Sequence, residues 1–325
     1  MSQSRTPERR FDVTALGEML IRLSVPSGMR LEQATQLDIH PAGAEANVLT
    51  LLARLGRRTC WHGALPDNPL GRLAFNALRA AGVHTDGVQW REDGRMGAYY
   101  VEFGEPPRGI QVTYDRAYSC SSQLQVADID WDLLCRTRLL HLTGITPALS
   151  PSCLEIVEEA IRQANERRLP VSFDINFRQK LWSEEEAART LLPLIRDVEL
   201  LFCSQADARR LFQCTGSMQE IAQGMLEISR ARHVIVTFGE QGALLWTGSE
   251  WQHEPARPTR LIDRLGAGDA LAAGVVHGWL DGNLAAGLRY GVTLAALALS
   301  QSGDMVVTDR AELLRLIQRD SSLSR

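Results

Sequence analysis

The chain contains very little lysine: Lys180 is the only one among its 35 basic residues, and the others are arginines. A P-loop nucleotide site requires Gly-Lys-Ser/Thr, and a protein kinase requires a lysine on one strand of its nucleotide lobe. Lys180 follows Gln179 and fits neither pattern. The scarcity of lysine therefore excludes both of these classes of phosphate-handling protein.

Several other features are missing as well. No apolar run approaches the roughly 20 residues of a membrane helix, and the polar start MSQSRTPERR lacks the layout of a signal peptide. The six cysteines form no CxxC pair and the seven histidines no HxxxH spacing, which argues against a disulfide scaffold and a zinc site. A net charge of −4 gives no basic footprint for nucleic acid. We expect a cytoplasmic protein without a membrane or nucleic-acid partner.

Short strand-like segments alternate with helical segments along most of the chain. Asn68 is a plausible N-cap and Gly82 a stop for a helix over Pro69–Ala81. The other predicted elements are strands at 13–23, 59–65, 139–143, 170–174, 200–203, 233–238 and 242–246, helices at 45–55, 151–167 and 184–195, and a mostly helical tail at 267–317. This alternation predicts an α/β fold in which helices cover both faces of a mostly parallel sheet.

Residues 95–116 break this rhythm with two alternating runs around a turn at 105–109. They predict an antiparallel hairpin with one apolar face on each strand. The two faces are formed by Tyr99, Val101 and Phe103, and by Ile110, Val112, Tyr114 and Arg116. Such a hairpin between βα units is typical of a lid, and the alternative is a sheet extension without function. Its apolar face also suggests a homodimer through the lid.

The segment that points most directly to chemistry is 263–269, DRLGAGD, which leads into a predicted helix. Glycines before a helix let the backbone approach a ligand, and the helix N-terminus offers N–H groups to an anion. Asp269 would repel a bound phosphate, but it suits a base that takes the proton of an acceptor hydroxyl during phosphoryl transfer. The alternative is a loop in which Asp269 merely caps its own helix.

At this point the sequence resembles the ribokinase-like (PfkB) carbohydrate kinases, whose late signature is DTxGAGD followed by a helix. PAGAEAN at 41–47 is similar to the family's GGxxxN segment, with Ala42 in place of the first glycine. Within the family, the similarity is greatest to 2-keto-3-deoxygluconate kinases. The segments that carry it are GEMLIRLS, AGAEANV, GAYYVEFG, YDRAYS, HLTGITPALS, SFDINFRQKLWS and DRLGAGDALAAG, in family order.

The resemblance implies a ribokinase-like fold with a small β lid. It also implies one domain over residues 1–325, with lid strands from roughly 18–40 and 95–117. The implied reaction is ATP-dependent phosphorylation of the terminal primary hydroxyl of a sugar acid, 2-keto-3-deoxygluconate first of all. Two alternatives stay open: a relative acting on 5-keto-2-deoxygluconate, fructose or ribose, and a catalytically silent sugar-binding regulator.

The resemblance also implies roles for individual residues. Asp269 would be the general base, and the amides of Gly266, Ala267 and Gly268 would form the anion hole. The implied substrate-binding residues are Gly43, Asn47, Tyr99, Tyr114, Arg116, Ile145 and Arg178. A guanidinium matches a carboxylate in bidentate geometry, so Arg116 and Arg178 favour an acidic substrate. The alternative for either arginine is an ion pair with another residue of the chain.

The nucleotide and cation sites are encoded less sharply. The resemblance implies ATP binding by Ser204, Thr237, Gly239, Gly242 and Gly268. It implies Mg²⁺ near Asp207, although Ser204 stands where the family's NxxE element has asparagine. It also implies a monovalent cation, K⁺, at Asp263 and Gly303, although Arg264 replaces the threonine of the signature.

Overall fold

The computed structural model describes residues 9–104 and 107–323 of the chain. Its strands are β1 (Phe11–Leu16), β2 (Leu20–Ser24), β3 (Asp38–Ala42), β4 (Thr59–Pro66), β5 (His84–Arg91), β6 (Gly97–Glu102), β7 (Gln111–Asp115), β8 (Thr137–Thr143), β9 (Val171–Asp174), β10 (Leu200–Ser204), β11 (His233–Thr237), β12 (Ala243–Trp246) and β13 (Trp251–Glu254). Its α-helices are α1 (Ala44–Arg54), α2 (Pro69–Ala81), α3 (Trp131–Cys135), α4 (Pro151–Glu166), α5 (Glu184–Leu194), α6 (Gln205–Phe212), α7 (Met218–Ser229), α8 (Ala267–Leu280), α9 (Leu284–Leu299) and α10 (Arg310–Leu323).

The larger sheet has the strand order β13-β12-β11-β10-β9-β8-β1-β4-β5. Its pairs are parallel from β5 through β11, and β12 and β13 add antiparallel pairs at one edge. Because parallel strands need crossover connections, helices follow most of them and cover the sheet. The predicted α/β architecture is confirmed.

Two apolar layers lie on the two faces of this sheet. On β10, Leu201 and Cys203 belong to one layer, with buried residues of α4, α5, α6 and α7. Leu200 and Phe202 point to the other layer, with buried residues of α1, α2, α8 and α9. Successive side chains of a strand alternate between faces, so each strand contributes to both cores. Among the described residues, no helix is long and apolar enough to cross a membrane.

The smaller sheet has the order β3-β2-β6-β7 and forms the lid. The predicted hairpin is present: β6 and β7 pair antiparallel, with Tyr99 opposite Tyr114. Tyr99 and Val101 pack with Leu20 and Ala42 in a core of the lid's own. The lid strands lie within two residues of the predicted segments, and residues 105–106 of the predicted turn lie outside the described ranges. That residues 1–325 form one domain stays a prediction.

The single strand predicted over 13–23 is wrong. The chain leaves the large sheet at the end of β1 and enters the lid sheet in β2, so the apolar run serves two sheets. Gly17 lies in the link, where an added Cβ would come within 2.2 Å of the Glu45 carboxylate. Apolar character alone does not show that a continuous run changes sheets between two strands.

Local signals in the sequence mark where some helices begin and end. The side chain of Asn68 accepts from the N–H groups of Leu70 and Gly71, and Gly82 ends α2 with φ +91°. Ser183 likewise caps α5 by accepting from the N–H of Glu186. The elements that sequence reasoning did not define are β3, β5, β13, α3, α6 and α7.

Helix α8 begins at the predicted anion-binding turn and runs through the core beside α9. Gly274 of α8 lies directly against Gly291 of α9, where an added Cβ would be 2.3 Å from the Gly291 nitrogen. This backbone contact fixes α8 and therefore the position of Asp269 in its first turn.

Candidate active site

A cavity lies between the lid sheet and the carboxyl ends of the parallel strands. Glu18 follows β1, Ile145 follows β8 and Arg178 follows β9, and all three line it. Ligands of open α/β sheets collect at this edge. The seven predicted substrate-binding residues all line the cavity: Gly43, Asn47, Tyr99, Tyr114, Arg116, Ile145 and Arg178. Gly266 and Asp269 line it too, so the structure brings these predicted residues together.

A larger cavity of about 520 Å³ lies between lid residues and the segment 261–264. It contains none of the predicted site residues, and its lining includes Arg108, Arg264 and Asp38. The chemistry-bearing side chains converge on the smaller cavity, which we therefore take as the candidate active site.

The turn before α8 has the backbone that an anion hole requires. Gly266 has φ +81°, and an added Cβ would lie 2.4 Å from the carbonyl oxygen of Asp304. Nothing lies within 4 Å of the place where a Cβ of Gly268 would be, so the backbone there is open to a ligand. Ala267 is the first helical residue. The first N–H groups of a helix have no partner inside it, and they attract negative charge.

Asp269 is held by a neighbour from α1. The Nδ2 group of Asn47 donates to Asp269 Oδ2 at 2.7 Å. Burial raises the pKa of Asp269 to about 7, although the Asn47 hydrogen bond and the charge of Arg178 oppose this shift. Asn47 Oδ1 is buried and has no hydrogen-bond partner among the described residues. This unpaired acceptor is suited to a hydroxyl of a bound sugar.

Two further carboxyl groups lie near Asp269. Burial raises the pKa of Asp174 to about 8, and the negative charges of Asp269 and Asp207 add to the shift. Burial also raises the pKa of Asp207, while the Ser204 hydrogen bond and Arg178 oppose it. Arg178 is the one cation that lowers all three of these pKa values. The site therefore combines crowded acids with a guanidinium that acts on all three of them.

The two predicted carboxylate-binding arginines differ sharply in their surroundings. Arg116 forms a buried ion pair with Glu18 Oε2, to which both its Nε and its Nη2 donate. Arg178 donates only to backbone, to the carbonyl oxygens of Asn176 and Phe177 at 3.4 and 3.1 Å. Within residues 9–104 and 107–323, no carboxylate lies within 4.0 Å of Arg178. Arg116 thus forms an ion pair within the chain, which was the alternative to carboxylate binding. The guanidinium of Arg178 can still bind a carboxylate of a ligand.

Sequence reasoning missed several polar residues of the site. Glu45 is buried and accepts from the hydroxyls of Thr143 and Thr146 at 2.7 and 2.9 Å. It lies between Gly43 and Asn47 in one short segment, and this position was its only signal. The other missed residues of the cavity are Glu18 and Asp304.

The predicted nucleotide segments lie at the ends of neighbouring strands. Ser204 is opposite Thr237 across the β10–β11 pair. The Ser204 hydroxyl accepts from the N–H of Asp207 at 3.0 Å, so it caps α6. Gly239 has φ +59° and open space around it, whereas Gly242 has φ +91° and lies against the backbone of Glu254. The turn geometry explains the glycine at 242 without a nucleotide, and the assigned ATP contacts stay predictions.

The residues predicted to hold a monovalent cation do not fit one. Asp263 Oδ2 is paired with Arg22 Nη2 at 2.5 Å, and both side chains are about 1% exposed. The backbone N–H of Gly303 donates to the same oxygen at 3.1 Å. A bare cation needs oxygen ligands, but here a guanidinium and an amide already occupy the carboxylate. Among all the described residues, this site included, no group of three or more His, Cys, Asp or Glu side chains could hold a metal ion.

Comparisons with known proteins agree with this geometry. The description "pfkB family carbohydrate kinase" matches residues 10–310. The chain is 34% identical to 2-dehydro-3-deoxygalactonokinase of Haloferax volcanii, over 94% of this chain and 96% of that protein. It is 31% identical to 2-dehydro-3-deoxygluconokinase of Bacillus subtilis, over 91% and 92% of the two chains.

A solved structure gives the same result for the fold. The 2-dehydro-3-deoxygluconokinase of Thermotoga maritima superposes with a TM-score of 0.89 at 30% identity, covering 95% of this chain and all of that one. The match spans both the large sheet and the lid. The chain therefore belongs to the pfkB family and is an ATP-dependent carbohydrate kinase.

Proposed function

We propose that this kinase phosphorylates the terminal primary hydroxyl of a 2-keto-3-deoxy sugar acid, with 2-keto-3-deoxygluconate as its principal substrate. The observation that carries the proposal is Arg178, a guanidinium in the cavity of Asp269 that has no carboxylate partner in the described chain. A neutral sugar would leave this guanidinium without a hydrogen-bonded carboxylate, whereas a sugar carboxylate pairs with it in bidentate geometry. The names of the relatives, which specify 2-dehydro-3-deoxy sugar acids, support the same substrate class.

The proton transfer is assigned to Asp269. Asn47 engages Oδ2, so Oδ1 is left to accept the proton of the substrate hydroxyl. The amides of Gly266, Ala267 and Gly268 then stabilise the negative charge of the transferring phosphoryl group. Burial keeps this step away from bulk water, which strengthens the interaction of each amide with that charge.

Binding of the sugar is assigned to the rest of the cavity. The Asn47 Oδ1 atom, unpaired among the described residues, is placed to accept a sugar hydroxyl. The rings of Tyr99 and Tyr114, 5.6 Å apart, form an apolar wall on the lid side. Arg116 borders the same cavity, and its ion pair with Glu18 balances its charge.

The acidic cluster fits a magnesium nucleotide. Mg²⁺ would neutralise the phosphate charge of ATP, and it prefers one or two carboxylates together with phosphate oxygens. Asp207 would hold it, with Asp174 beside it. Burial raises the pKa of both carboxyls, and for Asp174 the negative charges of Asp269 and Asp207 add to the shift, so a cation bound here would stabilise the ionised forms. ATP itself is assigned to Ser204, Thr237, Gly239, Gly242 and Gly268. K⁺ is not part of the proposal.

The rate of the kinase should fall on the acid side of neutrality. Below its pKa of about 7, Asp269 carries a proton and cannot accept another. We expect kcat/KM to drop about tenfold per pH unit below the apparent pKa of the free enzyme. The measurement is a profile from pH 5 to 9 with Mg²⁺ in excess, so that the nucleotide stays ionised throughout.

A variant provides the control for this profile. Asn47→Ala removes the hydrogen bond that stabilises the Asp269 carboxylate, so the acidic limb should move to higher pH. A profile that stays flat from pH 5.5 to 7.5, or a limb that Asn47→Ala does not move, would speak against Asp269 as the base.

ADP release over a panel of sugars tests the proposed substrate. The panel contains 2-keto-3-deoxygluconate, its galactonate epimer, 5-keto-2-deoxygluconate, fructose and ribose. We expect kcat/KM for a 2-keto-3-deoxy acid to exceed that for the neutral sugars by at least about tenfold, the value of one good charged contact. Preference for fructose or ribose would contradict the binding of a substrate carboxylate by Arg178. No activity on any of the five sugars would favour the alternative of a catalytically silent sugar-binding regulator.

Two predictions from the sequence remain outside this argument. A homodimer through the lid was predicted from the apolar face of the hairpin, but Tyr99 and Val101 on that face pack inside this chain. The dimer stays a prediction, which sedimentation decides: it requires twice the chain mass of 36.1 kDa. The cytoplasmic location also stays a prediction.

A further inference from the structure

A buried arginine joins the lid to the loops beside the anion hole. Arg22 lies on β2 and is 1% exposed. Its Nη2 donates to Asp263 Oδ2 at 2.5 Å and its Nη1 to Asp304 Oδ1 at 2.6 Å. Its Nε donates to the Ser24 hydroxyl at 2.8 Å. Each nitrogen of the guanidinium therefore has a partner, and two of the partners are carboxylates.

The two carboxylates have their other positions filled as well. Asp263 Oδ1 accepts the N–H of Leu265 at 3.0 Å, and Oδ2 also accepts the N–H of Gly303 at 3.1 Å. Asp304 Oδ2 accepts the hydroxyl of Tyr99. Every carboxylate oxygen of Asp263 and Asp304 thus has a hydrogen-bond donor from the chain, and Arg22 supplies the positive charge.

The network borders the backbone that would bind the transferring phosphoryl group. Asp263 Oδ1 accepts the backbone N–H of Leu265, the residue just before Gly266. The carbonyl oxygen of Asp304 lies 2.4 Å from the place where a Cβ of Gly266 would be. Two buried carboxylates beside an anion hole would repel an incoming phosphate unless a cation compensated them. Arg22 is that cation, and it belongs to the chain.

We propose that Arg22 is a positioning residue whose guanidinium serves as the built-in cation of the anion hole, so that catalysis by this chain does not depend on K⁺. The proposal rests on the assignment of Gly266, Ala267 and Gly268 as the anion hole. It departs from the monovalent-cation site that the sequence predicted at Asp263 and Gly303. Because this guanidinium is part of the chain, it does not have to be bound from solution. Its place on β2 links the positive charge beside the anion hole to the lid.

The first test uses the unmodified enzyme in KCl, NaCl and tetramethylammonium chloride at equal ionic strength. We expect kcat to differ by less than about twofold among the three salts, and the melting temperature not to be raised selectively by K⁺. A cation that binds only the folded state raises that temperature as its concentration increases. A saturable increase in either quantity that is specific for K⁺ would overturn the proposal. The melting arm needs no substrate, so it stays informative even if the proposed substrate is wrong.

The second test changes Arg22 itself. Arg22→Met should lower kcat about 50-fold while the KM values for ATP and sugar stay within about threefold, because loss of alignment affects the transition state more than ground-state binding. Arg22→Lys keeps the charge and should recover most of kcat. Arg22→Met should also gain activation by K⁺, because it leaves Asp263 and Asp304 uncompensated. The matched control is Arg95→Met, which removes an exposed lid guanidinium bound to Asp115 and should leave kcat unchanged.

Unchanged kcat in Arg22→Met, or Arg22→Lys no better than Arg22→Met, would contradict the positioning role. If Arg22→Met does not fold, Arg22→Lys and the salt comparison on the unmodified enzyme decide the question.

Discussion

Asp269→Asn is expected to lower kcat by about 10⁴-fold, the upper range for removal of a general base. The KM values should stay within about threefold, because the amide has the shape of the carboxylate and interactions made only in the transition state affect kcat alone. Asn47 Nδ2 can still donate to the new side-chain oxygen, as it donates to Asp269 Oδ2 now. Initial rates with saturating ATP and sugar acid measure the effect.

The control for this variant is Asp67→Asn, which makes the same chemical change at an exposed ion pair with Arg72. It should leave kcat and KM unchanged. If Asp269→Asn retains kcat within about tenfold of the unmodified enzyme, the base is another group, since the loss would fall below that expected for a general base. Asp174, with its raised pKa, would then be the next carboxyl to change.

Arg178→Met should reduce kcat/KM for the sugar acid by about 10³-fold, because a buried charged contact to the carboxylate is lost. The methyl ester of the same sugar has no negative charge, so its kcat/KM should fall no more than about tenfold. The comparison of acid and ester separates recognition of the carboxylate from general damage to the site.

Arg178 also affects the protonation of the nearby carboxyls, and this effect must be kept out of the comparison of acid and ester. Its positive charge lowers the pKa values of Asp269 and Asp174, so the variant will protonate both carboxyls more easily. The rates compared should therefore come from the alkaline plateau of each enzyme's own pH profile, where a further rise in pH no longer increases the rate. Arg189→Met, a change at an exposed arginine of α5, is the matched control. Equal losses on acid and ester would contradict the carboxylate role.

The parts of the fold that sequence predicted well have local causes. The N-cap Asn68 and the stop Gly82 act within one turn of their own helix, so these residues are sufficient to place its ends. The run over 13–23 was assigned to a single strand because it is apolar throughout, although its residues belong to strands of two different sheets. The chain changes sheets between β1 and β2, and the apolar pattern does not show where this change occurs.

The residues of the candidate site also divide into those that the sequence could predict and those that it could not. Asn47, Arg178 and Asp269 could be found because motif segments at strand ends and helix starts carry them to one edge of the sheet. The Arg22–Asp304 pair could not, since its members are 282 positions apart and nothing in the segment that contains Arg22 indicates its partner. The Glu18 partner of Arg116 was missed for the same reason, although both residues lie in quoted segments. Long-range charge pairing is a property of the packed chain.

The most direct test of the central claim is the structure of the product made from 2-keto-3-deoxygluconate, ATP and Mg²⁺, determined by phosphorus and carbon NMR. The proposed geometry, with the carboxylate at Arg178 and the far hydroxyl at Asp269, predicts a single phosphate ester on the terminal primary carbon and an unchanged carboxylate. A phosphate on any other oxygen, or turnover of neutral sugars without turnover of this acid or its epimer, would contradict it.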